Sequence, residues 1–151
     1  MQKISALGLD VGSKRIGVAG CDGTGLIATG LTTIERASFE QDVQKLRELV
    51  EQRDVQTLVV GLPYSMDGTL GAQAVKVQNY ANRLSKVLQL PIEYVDERLT
   101  SVEAEELIKA QKQSPSRNKS LIDRKAAAII LQRWLDVRRS ARQRASNGVI
   151  S

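Results

Sequence analysis

With 151 residues, 42% of them hydrophobic and 26% charged, and a net charge of +5, the chain resembles one globular domain and not a disordered or fibrous protein. The sequence contains no histidine, which excludes Ser-His-Asp and Cys-His catalysis and imidazole zinc sites. The single Cys21 excludes an internal disulfide, and no apolar run approaches the ~20 residues of a membrane span. We therefore expect a cytoplasmic protein with no membrane partner, whose chemistry comes from carboxylates, cations, hydroxyls or a bound metal.

Short apolar runs predict three strands at the start of the chain. They cover residues 4–10, 16–21 and 26–34, and short glycine-containing turns separate them. Strands joined by such short turns are antiparallel neighbours. The sequence therefore predicts an antiparallel meander of three strands.

After residue 37 the apolar residues recur at helical spacing instead. Ser38 and Gln41 match a capping box, which predicts the start of a helix of about four turns. A strand at 57–63, a helix with apolar positions from 77 to 88, and a strand at 91–95 follow. This alternation implies right-handed crossovers and a parallel portion of the sheet.

A second capping box, formed by Thr100 and Glu103, predicts a helix to about Gln113. A polar linker separates it from a last helix that begins at about Leu121 and enters an arginine-rich segment. The fold class is therefore α/β, with one mixed five-stranded sheet of three antiparallel strands followed by two parallel strands. Helices are expected on both faces of this sheet.

Charge divides the chain into two parts. Residues 1–136 form the predicted single domain and carry a net charge of only +1, because the remaining four charges come from arginines in residues 137–151. We expect these last residues to be a flexible basic tail. Such a tail either holds a polyanion through counterion release or is a solvated terminus.

Strand alternation puts Ile4, Ala6, Gly8 and Asp10 on one face of the first strand. Their side chains become small next to the acid, which favours the close approach of another backbone or of a ligand. Asp10 is therefore a candidate site residue, although an aspartate also commonly begins a turn.

The turn after Asp10 carries two cations, Lys14 and Arg15. Gly12 in the same turn permits a positive φ and would expose its amide. A tight backbone with neighbouring cations suits phosphate oxygens or charge balance for an acid cluster. The alternative is an exposed hairpin with two solvated cations.

Two further parts of the chain supply acids. Asp96 and Glu97 follow the fifth strand, where ligands of α/β sheets gather, and the sequence pattern does not choose between them. Asp123 lies near the start of the last helix, in line with the apolar stripe of that helix. The helix dipole explains an acid at this end but not its alignment with the core. Three neighbouring alanines, 126–128, would let this helix approach the small-residue face of the first strand.

One acid from each of these three places would meet at one end of the sheet. Two like charges ~4 Å apart repel by about 4 kcal/mol at an effective dielectric near 20, so the cluster requires a cation. Oxygen ligands without histidine indicate Mg²⁺ or Mn²⁺.

Four motifs in chain order resemble the YqgF, or RuvX, family, whose members are named as Holliday junction resolvases or pre-16S ribosomal RNA nucleases. The motifs are GLDVGSKRIGVA (8–19), GLPYSMDG (61–68), YVDERLTS (94–101) and IDRKAAAIILQ (122–132). The resemblance implies an RNase H-like fold. It also implies a bacterial role in maturing the 5′ end of the small-subunit ribosomal RNA.

Carried over by position, the acids of this family fall on Asp10, Glu97 and Asp123. The resemblance therefore implies that these three hold two divalent ions, which activate water and stabilise the leaving oxygen. This chemistry does not need a 2′-hydroxyl, so precursor ribosomal RNA is the expected partner and branched DNA the alternative.

The expected nucleic-acid contacts are Gly12 and four cations, for each of which a solvated side chain is the alternative. The cations are Lys14, Arg15, Arg98 and Arg124. We expect a monomer or a weak dimer. Two rival functions stay open: an ATP-binding module, because some ATPases use a similar Asp-x-Gly hairpin for phosphates, and a nucleic-acid-binding module without catalysis.

Overall fold

The structure, a computed structural model, describes residues 4–63, 70–96 and 119–150, with the side chains of the last segment described over 120–141. The elements in chain order are β1 (Ala6–Val11), β2 (Arg15–Cys21), β3 (Ala28–Glu35), α1 (Phe39–Arg53), β4 (Thr57–Leu62), α2 (Ala72–Leu88), β5 (Ile92–Asp96) and α3 (Lys119–Ile150). The five strands form one sheet in the order β3-β2-β1-β4-β5. β2 pairs antiparallel with both β1 and β3, whereas β4 pairs parallel with both β1 and β5. The predicted mixed sheet is confirmed.

Strand alternation separates two cores, one on each face of the sheet. Leu7 and Leu9 of β1 are fully buried on the face that α1 and α2 cover. Ala6 of β1 and Val59 of β4 lie on the opposite face, which α3 covers. The prediction of helices on both faces is therefore confirmed.

Helix α1 begins where its capping motif predicts. The Ser38 side chain accepts a hydrogen bond of 3.1 Å from the Gln41 amide, which satisfies one of the free N–H groups of the first turn. The helix ends at Arg53, and the left-handed backbone of the C-cap residue Asp54 (φ 50°) stops further helical hydrogen bonding.

Helix α3 continues through the arginine-rich segment. Residues 137–150, which the sequence analysis assigned to a tail, belong to this helix, and the flexibility of the segment stays a prediction. The helix expected over 100–113 lies outside the described residues. None of the helices that the structure describes is long and apolar enough to cross a membrane.

The only tryptophan of the chain lies between α3 and the sheet. Trp134 is 7% exposed and belongs to the same buried cluster as Ala6 and Val59. The Arg138 guanidinium lies 4.6 Å from the centre of its ring. The indole therefore stays buried only while α3 remains in contact with the sheet.

Glycines in the sheet allow α3 to contact the strands through its backbone. A Cβ atom on Gly8 would lie 2.8 Å from the carbonyl oxygen of Ala127. A Cβ atom on Gly17 would collide with the carbonyl oxygen of Asp123. The expected close approach of α3 to the small-residue face is confirmed, and it extends from β1 to β2.

This contact predicts that Gly17→Ala destabilises the protein. The colliding atom belongs to a helix backbone that moves only as a unit, so we expect a loss of about 3 kcal/mol in the free energy of unfolding. Gly20→Ala is the matched control on the same strand, because its Cβ would meet the flexible end of the Arg53 side chain. Urea denaturation measures both, and equal losses would contradict the proposed backbone contact.

Candidate active site

Asp10 lies on the face of β1 that α3 covers. It is two residues after Gly8, which contacts α3, and residues two apart on a strand share a face. Its partner in the neighbouring strand is Gly17 of β2. The Asp10 side chain is partly exposed, as a group that meets substrate must be.

Asp123 lies one turn into α3, directly above Gly17. Residues opposite each other in an antiparallel pair have Cα atoms about 4.5–5.5 Å apart, so Gly17 is next to Asp10 as well. Asp10 and the backbone of Asp123, 113 positions apart in the chain, therefore both lie next to the same glycine. The helix dipole acts mainly within the first turn and does not account for Asp123 at this position.

Arg15 bonds to Asp123 across the same site. Its Nε donates to an Asp123 carboxylate oxygen at 2.7 Å, and both side chains are about one-fifth exposed (24% and 20%). The hydrogen bond and the charge of Asp123 raise the pKa of Arg15. The sequence predicted that the cationic turn either binds phosphate or balances the charge of an acid. The Arg15–Asp123 contact has the second of these roles.

The backbone of the β1–β2 turn differs from the expectation for Gly12. Gly12 is not among the described residues with positive φ, and its amide donates to the Arg15 carbonyl at 2.8 Å. A Cβ atom on Gly12 would lie 2.9 Å from that carbonyl oxygen. The expectation of a positive φ and an exposed amide was wrong: the glycine is needed because the turn closes tightly on itself.

The other expected cations lie in different surroundings. Lys14 is exposed at the tip of the turn and takes part in no ion pair among the residues described. Arg124 packs over Gly30 of β3, two strands away from β1, and its Nε donates to the Ser120 carbonyl at 3.4 Å. The Arg124 side chain therefore begins over β3 and not over β1, which carries Asp10, and its contact with a phosphate stays a prediction.

Successive residues at the end of β5 lie on opposite faces of the sheet. Val95 packs against the α3 side of the sheet, whereas Tyr94 packs against the α1 and α2 side. By alternation Asp96 shares the side of Tyr94, away from Asp10. Glu97 and Arg98 lie outside the described residues.

The chemistry of these donors suits a hard divalent cation. Asp10 and Asp123 offer carboxylate oxygens, which Mg²⁺ and Mn²⁺ prefer, and the chain has no histidine to favour a softer metal. Within 4–63, 70–96 and 119–150, no three acidic, cysteine or histidine side chains form a metal-binding group.

Sequence reasoning missed the residue that supports the turn from behind. Arg36 donates from Nη1 to the Gly12 carbonyl at 2.7 Å, and its Nε lies 3.9 Å from a carboxylate oxygen of the buried Asp42. Its amide also donates to the Lys14 carbonyl at 2.9 Å. No motif marks Arg36, because its partners come from two separate segments, the β1–β2 turn and α1.

The Arg15–Asp123 bond predicts that Arg15→Gln destabilises the protein. Without the guanidinium, the partly buried Asp123 carboxylate loses its charge-assisted hydrogen bond, so we expect a lower melting temperature than for the matched control Lys14→Gln in the same turn. Thermal melts by circular dichroism test this, and equal melting temperatures for the two variants would contradict it.

The chain is similar in sequence to one family of known proteins. The sequence profile of the family described as RuvX: Holliday junction resolvase matches residues 4–137. A relative from Gloeothece citriformis is 72% identical over 93% of this chain and 93% of its own length, and one from a Synechocystis species is 60% identical over 98% and 97%. Both bear the name "Putative pre-16S rRNA nuclease".

Solved structures establish the fold. The structure titled "T. thermophilus RuvC in complex with Holliday junction substrate" has a TM-score of 0.56 and 13% identity to this chain, and covers 89% of this chain and 96% of its own. The structure titled "Thermus thermophilus RuvC structure" has a TM-score of 0.55 over 91% and 97% of the two chains. The expected RNase H-like fold is confirmed, and by its sequence this chain belongs to the RuvX family.

Proposed function

We propose that this chain is a divalent-metal-dependent nuclease that hydrolyses phosphodiester bonds of precursor 16S ribosomal RNA during maturation of its 5′ end. The observation that carries the proposal is that Asp10 and the backbone of Asp123 both lie next to Gly17, at the sheet edge where the parallel strands end. The names of the two relatives supply the substrate. The reaction would take place in the cytoplasm.

Glu97 is the proposed third acid. Val95 packs on the α3 side of the sheet, so Asp96, the next residue of β5, lies by alternation on the side away from Asp10. Gly61 pairs with Val95 on β4, between β1 and β5, and leaves that row without a side chain. The family motif and the strand alternation therefore favour Glu97 over Asp96.

The three proposed acids would hold Mg²⁺ or Mn²⁺. When bound, such ions lower the pKa of a water molecule and neutralise charge on the leaving oxygen of an in-line displacement. Asp10, fixed on a central strand, and Asp123, fixed by backbone contact, supply oxygen ligands at set positions. Arg15 holds the Asp123 carboxylate in one orientation. Lys14, exposed on the turn, is the proposed contact to a flanking phosphate.

The hydrolysis needs only water and the phosphodiester as reactants. A water oxygen forms a bond to phosphorus while the bond from phosphorus to a sugar oxygen breaks. The products are a phosphomonoester and a hydroxyl group, and the water proton goes to solvent or to the leaving oxygen. Nothing in this step uses the 2′-hydroxyl.

Branched DNA is the second candidate substrate. The family description names a Holliday junction resolvase, and the fold matches a RuvC structure whose title includes a Holliday junction. Because the proposed chemistry is the same for both sugars, the choice depends on binding, and a comparison of substrates decides it.

Asp10→Asn should abolish cleavage. Loss even of groups that only orient metal ligands costs about 10–100-fold, so loss of a ligand should cost at least ~100-fold in rate. The assay offers precursor ribosomal RNA, a four-way DNA junction and single strands to the purified protein, each with Mg²⁺, Mn²⁺ or chelator. Asp136→Asn, an exposed acid further along α3, is the matched control and should retain full activity.

The outcomes separate the candidates. Cleavage of the RNA alone supports the proposal, and cleavage of the junction alone favours the DNA candidate. Activity that survives both chelator and Asp10→Asn would overturn the metal mechanism. Stabilisation by ATP without cleavage of any substrate would favour the ATP-binding rival. An Asp10→Asn variant that keeps cellular function would favour a binding module without catalysis.

Metal binding is also expected to be visible without catalysis. Millimolar Mg²⁺ or Mn²⁺ should raise the melting temperature of the unaltered protein, because an ion that binds only the folded state stabilises it by mass action. Asp10→Asn and Asp123→Asn should each lose most of this shift, whereas Asp136→Asn should keep it. Equal shifts in all four proteins would contradict a metal site at Asp10 and Asp123.

A further inference from the structure

A cleft with a volume of about 410 Å³ opens on the opposite side of the sheet from Asp10 and Asp123. We call it the α2 cleft. It begins one residue after Asp10, because Val11 points to the side that α1 and α2 cover. Its walls include Val11, Gly12 and Ser13 from β1 and its turn, Arg36, and Lys76 and Arg83 from α2.

The charge of the α2 cleft is positive. Of the cations that line it, Arg36 is balanced by the buried Asp42 behind it. Lys76 and Arg83 are exposed and take part in no ion pair within the described part of the chain. Among the described residues that line the cleft there is no carboxylate, and the first turn of α2 has no acidic residue. Two cations are therefore available to an anion.

The aromatic side chain in the described lining of the cleft, Tyr80, already has a partner. The Arg36 guanidinium lies 4.3 Å from the centre of the Tyr80 ring and occupies one ring face on which a base would otherwise stack. The described lining of the cleft therefore favours phosphate groups over bases.

Buried hydrogen bonds hold the wall in place. Tyr80 donates from its hydroxyl to Asp42 at 3.1 Å, and Asp42 also accepts from the Ala37 amide at 3.1 Å. Burial, together with the nearby Asp42 charge, raises the pKa of Tyr80, so the phenol remains a neutral donor. Because Asp42 pairs with Arg36, this network also fixes the guanidinium that bonds to the Gly12 carbonyl.

We propose that the α2 cleft binds the sugar-phosphate backbone of a single-stranded nucleic acid segment that extends from the scissile phosphate, with Lys76 and Arg83 as the phosphate contacts. The inference rests on the proposed nuclease function. One turn joins the two sites, since Asp10 precedes it and Gly12 lines the cleft, and the exposed Lys14 lies at its tip. A segment that crosses this turn passes Lys14 at the tip and then reaches Lys76 and Arg83 in the cleft. A free mononucleotide would not need cations arranged along such a path.

Binding measured without catalysis tests this proposal. Fluorescence anisotropy follows a labelled 20-nucleotide RNA, and the DNA of the same sequence, in chelator over a range of salt concentrations. The cleft variant is Lys76→Gln with Arg83→Gln. The matched control is Lys45→Gln with Lys86→Gln, two exposed lysines of α1 and α2 outside the cleft.

The cleft variant should bind both strands on the order of tenfold more weakly at 0.1 M salt, and the slope of log K against log salt should fall by about 1.4, or 0.7 for each lost phosphate contact. The control should keep the affinity and slope of the unaltered protein. Melting curves check that each variant folds, and the single variant Lys76→Gln, at an exposed position, gives a second test with half the slope change.

Each remaining outcome overturns the proposal. Equal losses in the cleft and control variants would mean that only net charge matters. Unchanged binding by the cleft variant would mean that its cations do not contact the strand, as would failure of the unaltered protein to bind. A cleft variant that loses binding of a labelled mononucleotide but not of the 20-mer would assign the cleft to free nucleotides. Because the assay needs no cleavage, a failed nuclease proposal leaves its result interpretable.

Discussion

The backbone of α3 at Asp123 rests on Gly17 of β2 with no side chain between them, and the candidate active site depends on this contact. It places Asp123 next to Gly17, the residue that pairs with Asp10 on the neighbouring strand. Any larger residue at Gly17 would move the whole helix, since a helix responds to a collision as a unit. The geometry of the acids is therefore a consequence of close packing and not of a local motif.

The turn between β1 and β2 stands between two environments of opposite character. On the α3 side Arg15 neutralises an acid, and on the α2 side Arg36 anchors the Gly12 carbonyl and is neutralised by Asp42. Each arginine fixes the turn from its own side, so neither is free to follow a passing ligand. The cations that remain available are those further out, which is where a long polyanion would extend.

Patterns with a regular period allowed most of the fold to be predicted. Alternation identified the strands and put Asp10 on the small-residue side, and Ser38 marked the start of α1. Contacts between distant segments were beyond this reasoning. The contacts by which Arg36 holds the turn follow no regular sequence spacing. The tight hydrogen bond that decides the conformation of Gly12 forms only when the hairpin closes. The proposed choice of Glu97 over its neighbour Asp96 rests on the family motif, because strand alternation alone did not decide between them.

The chain has one tryptophan, and its position beneath α3 has a practical consequence. Indole emission shifts when the ring passes from an apolar environment into water, so the intrinsic fluorescence of Trp134 reports whether the helix that carries Asp123 is seated. No label is needed. Separation of this helix from the strands is thus observable in the natural protein, in real time and apart from any loss of secondary structure.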